Sequence, residues 1–256
     1  MSSAHTRSTV ALITGGSRGV GRDTALRLAQ DGTDVVITYR SHPGEAHAVV
    51  AELRALGRKA EALHLDVADL TSFPAFTAAL RAALRTTWDR ADLDHLVNNA
   101  GHGSLVPFAE VTEADFDHLM NVHLKGVFFL TQQLLPLLRD GGRIVNVSSA
   151  LTRFSNPGMS AYAIMKAGVE MLTRYLALEL GPRGITANAV APGATATDFA
   201  GGYAGSPQGR EAIAGITALG RTGEPGDIGG VISALLDDRT GWITGQRVEA
   251  SGGALL

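Results

Sequence analysis

Tyr162 and Lys166 are the residues of this chain whose types and spacing point most directly to acid–base chemistry. They lie four positions apart in a segment with helical periodicity, so both side chains are expected on one face of a helix, one turn apart. With four tyrosines and three lysines in 256 residues, this spacing would arise by chance with a probability of about 0.05. A lysine ammonium within about 4 to 6 Å favours the phenolate, so we expect a lowered pKa for Tyr162 and a role in proton transfer. The alternative is an exposed pair without a chemical role.

Ser149 and Asn121 are polar residues that are expected to join this pair. Ser149 follows a predicted strand, at the carboxyl edge where an open α/β sheet binds its ligand, so its hydroxyl could hold a substrate carbonyl beside Tyr162. Ser148 is the competing candidate for that role. Asn121 is a polar residue in an otherwise apolar helix, and its side chain could hydrogen-bond a water that leads to Lys166. A purely structural role is the alternative for this residue.

The segment TGGSRGVG follows the first predicted strand and forms a glycine-rich turn into the first helix. Glycine adopts positive φ and lets the backbone approach a pyrophosphate, which the N–H groups and dipole of a helix N-terminus attract. The GxxxGxG spacing differs from the GxGxxG dinucleotide fingerprint, and it lacks the Gly-Lys-Ser/Thr ending of an ATP-binding P-loop. An ordinary tight turn is the alternative. The cofactor contacts predicted in this turn are Gly15, Ser17, Arg18, Gly19, Val20 and Gly21.

The end of the second predicted strand indicates which dinucleotide is bound. An acidic residue about 20 positions after the glycine turn would bind a ribose 2′-hydroxyl and repel a 2′-phosphate. The residues at that place are Tyr39, Arg40 and Ser41, and Arg18 lies in the turn itself. Because guanidinium groups bind phosphate oxygens through charge-assisted hydrogen bonds, NADP(H) is predicted in preference to NAD(H). The alternative is that Arg40 is only a solvated strand end.

Two further strand ends carry residues that are expected near the cofactor, although both signals are weaker. Asp66 and Val67 follow the third strand, where the adenine ring would lie. The run from 98 to 101 follows the fourth strand, and contacts are expected from Asn99, Ala100 and Gly101.

Short apolar runs alternate with helical windows along the chain, which is typical of βαβ units. Strands are predicted at residues 11 to 14, 35 to 39, 60 to 65, 93 to 98, 143 to 148, 186 to 190 and 247 to 249. Helices are predicted at residues 19 to 31, 44 to 57, 71 to 87, 113 to 139, 159 to 181 and 224 to 237. The predicted fold class is α/β: a single Rossmann-like, doubly wound domain over residues 1 to 256, with a seven-stranded parallel sheet and helices on both faces. Residues 195 to 222 are glycine-rich and are predicted to form a mobile flap with one short helix.

Composition narrows the function classes further. The net charge is −3 and basic residues are scattered, so no nucleic-acid or lipid partner is predicted. The absence of cysteine excludes a disulfide framework, a zinc finger and a thiol nucleophile, and no metal is expected. No apolar stretch approaches the roughly 18 residues of a spanning helix, and the first residues lack a signal-peptide core. A soluble cytoplasmic protein is expected.

Taken together, these motifs resemble the short-chain dehydrogenase/reductase family over almost the whole chain, and they are similar to its 3-oxoacyl-(acyl carrier protein) reductase-like members. The matching parts are TGGSRGVG, Asp66, NNAG at 98 to 101, Asn121, VSS at 147 to 149, YAIMK at 162 to 166, PGATAT at 192 to 197 and TGQRVEASGG near the end. The resemblance implies that Tyr162 donates or accepts the proton, that Ser149 orients the carbonyl, and that Lys166 also binds the nicotinamide ribose. It further implies a proton relay through Asn121 and a contact of Arg40 with the 2′-phosphate.

The resemblance also implies a second group of cofactor contacts in the flap. Thr195 and Thr197, after Pro192 and Gly193, would contact the nicotinamide end and the pyrophosphate. A homo-oligomer, tetramer or dimer, is expected from the family. An apolar helix face would suit such packing but could equally be intramolecular core, and it consists of Val169, Leu172, Leu176 and Leu180.

Several positions depart from the family pattern or vary within it. Met165 precedes the lysine where serine or alanine is usual, and Ala250 and Ser251 replace the frequent Val-Asp. Three residues at variable positions are predicted to line the substrate pocket, with surface loops as the alternative, and they are His102, Arg153 and Phe154.

The function predicted from these observations is an NADPH-dependent carbonyl reductase that acts on a small-molecule ketone or secondary alcohol. Two alternatives remain, an NAD(P)-dependent alcohol or sugar dehydrogenase that works oxidatively and a non-catalytic dinucleotide-binding module. The substrate stays open among a 3-oxoacyl thioester, a polyketide-like ketone, a sugar and a small cyclic ketone.

Overall fold

The computed structural model describes residues 8–256, which are built around one sheet of seven parallel strands. The strands are β1 (Val10–Ile13), β2 (Asp34–Tyr39), β3 (Ala60–His64), β4 (Leu93–Asn98), β5 (Leu138–Val147), β6 (Thr186–Pro192) and β7 (Arg247–Ala250). Their order across the sheet is β3-β2-β1-β4-β5-β6-β7, and every neighbouring pair is parallel. The predicted fold class is confirmed. The assignment of residues 1 to 256 to a single domain stays a prediction.

Eight α-helices in the described part of the chain connect or flank these strands. They are α1 (Gly19–Gln30), α2 (Pro43–Ala55), α3 (Phe73–Trp88), α4 (Glu113–Met120), α5 (Gly126–Leu134), α6 (Ser160–Leu180), α7 (Pro207–Gly215) and α8 (Pro225–Leu236). One face of the sheet packs against α3, α5 and α6, and the other packs against α1, α2 and α8. None of the helices in residues 8–256 combines the length and the apolar content that crossing a bilayer requires.

Strand β1 shows why the strand sequences are apolar along their whole length. Val10 and Leu12 point into the core on one face, and Ala11 and Ile13 point into the core on the other. All four residues are 0% exposed. Because both faces of the sheet are covered, only the ends of the strands are available for a ligand.

The connections of the sheet reverse direction between β1 and β4, which lie side by side at its centre. From β1 the chain winds outward through β2 to β3, and from β4 it winds the other way through β5 and β6 to β7. A crevice therefore opens at the carboxyl ends of β1 and β4, between α1 and the loop after β4.

The predicted helix from 113 to 139 is wrong in two places. One π-helical segment, Asn121–Lys125, separates α4 from α5. The helix also ends at Leu134, because Pro136 lacks an N–H donor and disfavours helical geometry in the residue before it. Strand β5 consequently begins at Leu138, five residues before its predicted start.

A buried carboxylate, Asp94, fastens β4 to β1. Its Oδ2 accepts hydrogen bonds of 2.7 Å from the Val10 amide and from Nη1 of Arg90, and Arg139 Nε lies 3.0 Å from Oδ1. Burial alone would raise the pKa of Asp94, but the hydrogen bonds and charges of these partners outweigh it and hold the pKa below the ordinary value of 3.8. The side chains of Arg90 and Asp94 are 5% and 4% exposed, so their ion pair is buried. Arg90 also binds Asp92 and the Ser8 carbonyl, both at 2.9 Å.

We expect Asp94→Ala to lower the free energy of unfolding by about 3 to 5 kcal/mol, because it removes the more deeply buried of the two carboxylates that bind the Arg90 guanidinium and leaves the Val10 amide without its acceptor. Urea unfolding at pH 7 measures this loss. The lowered pKa means that the contribution of Asp94 is present at neutral pH and disappears as the pH falls through that lowered value. The difference between the two proteins should therefore shrink in acid.

The control for this prediction is Arg239→Ala, which removes an exposed pair with Asp237 and should leave the urea midpoint unchanged. A loss below about 1 kcal/mol for Asp94→Ala at pH 7 would contradict the role assigned to the buried pair.

Candidate active site

The glycine turn after β1 packs so closely against the loop after β4 that no side chain fits between them. Gly15 has a φ of 65°, and a Cβ on it would lie 2.9 Å from the Cα of Ala100. A Cβ on Gly21 would lie 2.2 Å from the Gly15 oxygen and 2.5 Å from Nδ2 of Asn99. Gly19 also has a positive φ, of 55°. Gly15 and Gly21 therefore allow two backbones to meet at the centre of the sheet, whereas Gly19 faces Thr197, whose Cγ2 would lie 3.3 Å from an added Cβ.

Thr14 is a residue that the sequence analysis did not place in the site, yet it ties these two loops together. Its Oγ1 accepts hydrogen bonds from the amides of Asn99 and Ala100 at 2.9 and 3.0 Å. In return, Asn99 Nδ2 donates to the carbonyl oxygens of Thr14 and Gly15 at 2.9 and 3.0 Å. The available signal was its place as the first residue of TGGSRGVG, at a strand end.

The start of α1 fits a phosphate group of a dinucleotide. The first N–H groups of a helix have no acceptor within it, and here the N-cap residue Arg18 adds no side-chain cap and the first turn holds no acidic residue. Such an end attracts an anion through its N–H groups and its dipole. Ser17 and Val20 lie in the same turn, and Arg18 is exposed, 3.9 Å from Asp198 of the flap.

The end of β2 fits the 2′-phosphate of NADP(H). Arg40 and Ser41 follow β2 directly and are exposed. The turn after β1 is tied to this end, because the Gly15 amide donates to Oγ1 of Thr38 at 3.1 Å and the Gly16 amide donates to its carbonyl at 3.0 Å. Arg40 therefore stands beside the glycine turn, where its charge can meet a phosphate.

Asp66 and Val67 lie just beyond β3, in a loop that is fixed by its own main chain. Oδ1 of Asp66 accepts a hydrogen bond from the Ala68 amide at 2.9 Å. The Val67 carbonyl rests on the first turn of α5, where a Cβ on Gly126 would lie 2.1 Å from its oxygen. Both residues occupy the carboxyl edge of the sheet, as the cofactor prediction requires.

Tyr162, Lys166 and Ser149 come together at the carboxyl end of β5. Helix α6 carries Tyr162 and Lys166, which are 6% and 4% exposed, and the Lys166 Nζ lies 5.7 Å from the centre of the Tyr162 ring. Ser149 is buried and hydrogen-bonds Tyr162. The Lys166 ammonium donates to the carbonyl of Val147, the last residue of β5, at 2.7 Å. The strand end thus orients the lysine, and the helix places the tyrosine one turn away.

The expected lowering of the Tyr162 pKa is wrong for this structure. Burial raises the pKa of Tyr162 above its ordinary value of 10, and the hydrogen bond with Ser149 lowers it by less. Burial also lowers the pKa of Lys166 to about 8. The tyrosine is therefore a neutral phenol that can donate a proton, and desolvation outweighs the attraction that the sequence spacing suggested.

The two adjacent serines after β5 face different partners. Ser148 Oγ donates to Oε1 of Glu170 at 2.7 Å, so its hydroxyl is engaged one turn beyond Lys166. Ser149 Oγ accepts from the Leu151 amide at 3.2 Å and lies against Tyr162. Of the two candidates, Ser149 is the one that the structure brings to the tyrosine.

The π segment between α4 and α5 brings His123, rather than Asn121, to the tyrosine. Asn121 is its first residue, and its main-chain oxygen accepts from the Gly126 amide. Within residues 8–256 the Asn121 side chain makes no hydrogen bond, so its relay role stays a prediction. The His123 ring meets the Tyr162 ring edge-on, with centres 5.1 Å apart. His123 was not predicted from the sequence, although it lies in the same MNVHLKG window as Asn121.

The flap closes over the other side of Tyr162. Thr195 Oγ1 donates to the Gly193 carbonyl at 3.0 Å, and Thr197 Oγ1 donates to the carbonyl of Thr195 at 3.4 Å. The Phe199 ring then lies 5.5 Å from the Tyr162 ring, centre to centre. Pro192 ends β6 and leads into this segment. The predicted flap residues therefore stand at the same strand edge as the tyrosine, and the single predicted short helix of the flap is α7.

The prediction that Arg153 lines the substrate pocket is wrong. Its guanidinium binds Glu249 through two hydrogen bonds, of 2.8 and 2.7 Å, and it also donates to the carbonyl oxygens of Ala254 and Leu255. The same guanidinium lies over the Phe154 ring, 5.2 Å from its centre. The arginine thus fastens the loop after Ser149 to the segment after β7.

The apolar face of α6 suggested for packing against a neighbour is mostly intramolecular core. Val169 and Leu180 are buried, Leu176 packs against the core under α3 and α5, and Leu172 is half-buried. The outward apolar side chains of the helix form a different stripe, with exposed fractions of 50 to 74%. This stripe consists of Ile164, Met171, Tyr175 and Leu178.

Comparisons with known proteins give matches over nearly the whole chain. The family model described as Enoyl-(Acyl carrier protein) reductase matches residues 15–254. The Tetrahydroxynaphthalene reductase PfmaG of Pestalotiopsis fici is 38% identical over 259 residues, which cover 96% of this chain and 91% of that protein. The 3-oxoacyl-[acyl-carrier-protein] reductase FabG of Staphylococcus aureus is 37% identical over 248 residues, covering 96% and 98%.

A solved structure agrees with these matches. The angucycline C-6 ketoreductase LanV with bound NADP superimposes with a TM-score of 0.92 at 35% identity, covering 96% of this chain and 95% of that one. At 35% identity, the two proteins are similar in sequence as well as in fold.

We expect Gly21→Ala to destabilise the protein and to weaken NADPH binding at least tenfold, because the new Cβ would lie 2.2 Å from the Gly15 oxygen and would force the turn apart. Helix propensity alone predicts the opposite, since alanine is the better helix former by about 1 kcal/mol. Thermal unfolding and calorimetric titration with NADPH measure the two effects.

Gly230→Ala in α8 is the matched control, because nothing lies within 4 Å of its added Cβ. This variant should be at least as stable as the unmodified protein and should bind NADPH equally well. Equal behaviour of the two variants would refute the packing argument.

Proposed function

The chain belongs to the short-chain dehydrogenase/reductase family, and on this premise we propose that it is an NADPH-dependent reductase of ketones carried on flat, polyketide-like ring systems. The observation that carries the proposal is the meeting of Tyr162, Ser149 and Lys166 beside a glycine turn that fits a dinucleotide. The bound cofactor supplies a hydride for the carbonyl carbon.

Tyr162 and Ser149 act on the carbonyl oxygen. As the carbon–oxygen double bond opens, negative charge develops on that oxygen, and the Ser149 hydroxyl donates a hydrogen bond to it. The Tyr162 O–H then donates its proton, which converts the developing alkoxide to an alcohol. Burial keeps Tyr162 protonated until that moment, because burial raises its pKa above the ordinary value.

Lys166 stabilises the tyrosinate that remains after the proton has left. Its ammonium is held at the Val147 carbonyl and lies 5.7 Å from the Tyr162 ring centre, within reach of the new charge. The ammonium also has donors for a ribose hydroxyl, and we assign Lys166 that second role. The same groups run in reverse when an alcohol is oxidised.

The substrate class is supported by the relatives and by the surroundings of Tyr162. PfmaG is named a tetrahydroxynaphthalene reductase and LanV an angucycline ketoreductase. They are 38% and 35% identical to this chain, respectively. The Tyr162 ring has two aromatic neighbours, His123 and Phe199. A planar ring system suits such walls.

The residues that hold the dinucleotide in this proposal are those predicted from the sequence. Tyr162 and Lys166 contact it from the catalytic side. The other contacts are Gly15, Ser17, Arg18, Gly19, Val20, Gly21, Arg40, Ser41, Asp66, Val67, Asn99, Ala100, Gly101, Pro192, Gly193, Thr195 and Thr197.

The proposal includes the state of the protein in the cell. Residues 1 to 256 form one domain, the protein is cytoplasmic, and its assembly is a homotetramer or a dimer. The exposed stripe on α6 supports self-association, because apolar side chains such as Met171 and Tyr175 at 50 and 56% exposure gain from burial against a second copy.

We expect Tyr162→Phe to lower kcat at least a hundredfold toward a ring ketone such as α-tetralone, while the dissociation constant for NADPH changes less than threefold. The hydroxyl is lost, but the ring and its neighbours stay. NADPH oxidation in steady state measures the first quantity and calorimetry the second. Retained turnover in the phenylalanine variant would overturn the catalytic assignment.

The adjacent serines give the matched control pair. Ser149→Ala should lower kcat by about tenfold to a hundredfold, because it removes a donor from the carbonyl oxygen. Ser148→Ala removes the bond with Glu170 and a longer contact, of 3.4 Å, with the Lys166 carbonyl, and it should lower kcat much less. Equal losses would contradict the assignment of Ser149.

The preference for NADPH is expected to depend on Arg40. Arg40→Ala should weaken NADPH binding about tenfold or more and leave NADH binding within about twofold, because only NADPH carries the 2′-phosphate. Calorimetric titrations of both cofactors in one buffer measure this. Arg85→Ala, an exposed arginine on α3, is the control and should change neither constant.

A further inference from the structure

Three histidines form a connected cluster beside Tyr162. The rings of His102 and His118 are stacked, with centres 4.9 Å apart and planes 28° from parallel. The ring centres of His102 and His123 are 5.3 Å apart. The His123 ring meets the Tyr162 ring edge-on, with centres 5.1 Å apart and an angle of 88° between the ring planes. The hydride and proton transfers proposed above use none of these rings.

The π segment and Gly101 together make room for His123. A Cβ on Gly101 would lie 2.6 Å from Cε1 of the His123 ring and 3.0 Å from Nδ1. Only glycine therefore lets the ring lie in this place. The loop after β4 thus accommodates the His123 ring through Gly101. His123 is therefore an integral part of the site and not a surface residue.

The hydrogen bonding of His123 determines which ring nitrogen carries the proton. Nε2 lies 2.8 Å from the main-chain oxygen of His102. The His102 amide also faces Nε2, but at 3.5 Å, so the shorter contact determines the tautomer. A carbonyl oxygen only accepts, so we assign the N–H to Nε2, and Nδ1 is left as an acceptor. The side chain is 0% exposed, and Nδ1 has no hydrogen-bond partner among the described residues. A buried acceptor without a donor is unfavourable until a ligand supplies one.

His102 presents a second nitrogen of the same kind. Its Nε2 is buried without a partner in the described part of the chain, and its Nδ1 lies 3.5 Å from the Gly103 carbonyl, which again only accepts. Burial lowers the pKa of His102 and, with the charge of Lys166, the pKa of His123, so both rings are neutral. The cluster thus contains two buried acceptor nitrogens that lack a hydrogen-bond donor among the described residues.

A hydroxyl group is a donor that fits these nitrogens. A carboxylate, a phosphate or a second carbonyl brings only acceptors, whereas a phenol or an enol brings an O–H. The rings stack instead of converging, and no metal-holding group is found within residues 8–256.

We propose that Nδ1 of His123, assisted by Nε2 of His102, binds a hydroxyl group of the substrate, so that the enzyme prefers ketones with a phenolic or enolic hydroxyl on the same ring system. This subsite rests on the proposed reductase function and specifies its substrate class. Phe199 covers Tyr162, and a Cβ on Gly103 would lie 2.7 Å from its Cε1. A ring that enters beside Tyr162 must therefore displace Phe199, and in this proposal its hydroxyl reaches the buried nitrogens of the two histidines.

The test compares kcat/KM for α-tetralone with that for its ring-hydroxylated analogues, using NADPH oxidation. The unmodified protein should prefer the best hydroxylated ketone by about tenfold, which is the typical yield of one good hydrogen bond. His123→Phe keeps a ring of similar size but no acceptor, and its preference should fall to about one. A preference that is unchanged in His123→Phe overturns the proposal.

Two further variants serve as a control and as a partial rescue in this test. His118→Phe preserves the stack on His102 and removes no buried unpaired nitrogen, so its preference should equal that of the unmodified protein. His123→Gln restores an acceptor and should keep part of the preference. Thermal unfolding and NADPH binding show whether each variant is folded. If His123→Phe does not fold, His102→Phe and His123→Gln carry the comparison, and an unchanged preference in both refutes the subsite.

A binding measurement separates the subsite from the reaction. Calorimetry of the NADP⁺-loaded protein with naphthol and with naphthalene should show a hydroxyl-dependent gain in affinity that His123→Phe removes. If no ketone is reduced but this gain is present, the reductase function fails and the subsite stands. If ketones are reduced and naphthol gains nothing over naphthalene, the subsite fails and the function stands.

Discussion

The close meeting of two backbones at the centre of the sheet is the constraint on which the rest of the site depends. Strands β1 and β4 run side by side, but the chain leaves them in opposite directions, so their ends would separate unless something held them. Thr14 and Asn99 do this by exchanging hydrogen bonds between side chains and main chains, all of 2.9 to 3.0 Å. Gly15 and Gly21 are needed because the gap has no room for a Cβ. The crevice keeps its shape because both loops are bound to each other and not to solvent.

Desolvation determines the electrostatics of the catalytic groups. Lys166 and Tyr162 are both buried, and burial favours the neutral form of each, which lowers one pKa and raises the other. The hydrogen bond from the Lys166 ammonium to the Val147 carbonyl holds the ammonium close to the Tyr162 phenol, which is still protonated. The attraction between ammonium and phenolate therefore becomes important only after the proton has been given up. Such a site is arranged for the charge that develops during the reaction, not for the charges at its start.

Much of this arrangement could be predicted from the sequence, and the failures have physical causes. The glycine spacing, the YxxxK pair and the alternation of strands and helices are local patterns, and they located the sheet, the turn and Tyr162. The π segment at Asn121–Lys125 has no such signature in the sequence, and in the structure it lies between α4 and α5 and contacts α6. His123 and Thr14 were missed for the same reason, since their importance comes from neighbours distant in sequence. The pKa of Tyr162 depends on burial, which spacing does not report. Arg153 was assigned to the pocket because it follows Ser149, whereas its partner Glu249 lies almost a hundred positions away.

The strand order also has a consequence for how the chain reaches this state. The Val10 amide is bonded to Asp94, 84 positions later, and β1 pairs directly with β4. While β1, β2 and β3 are already synthesised, one edge of the central strand has no neighbour and is free to pair with another chain. Contacts between segments so far apart make a fold slow to form. The same topology that opens a crevice for the cofactor therefore leaves an unpaired strand edge in the newly made chain until β4 has been added, and such edges favour aggregation.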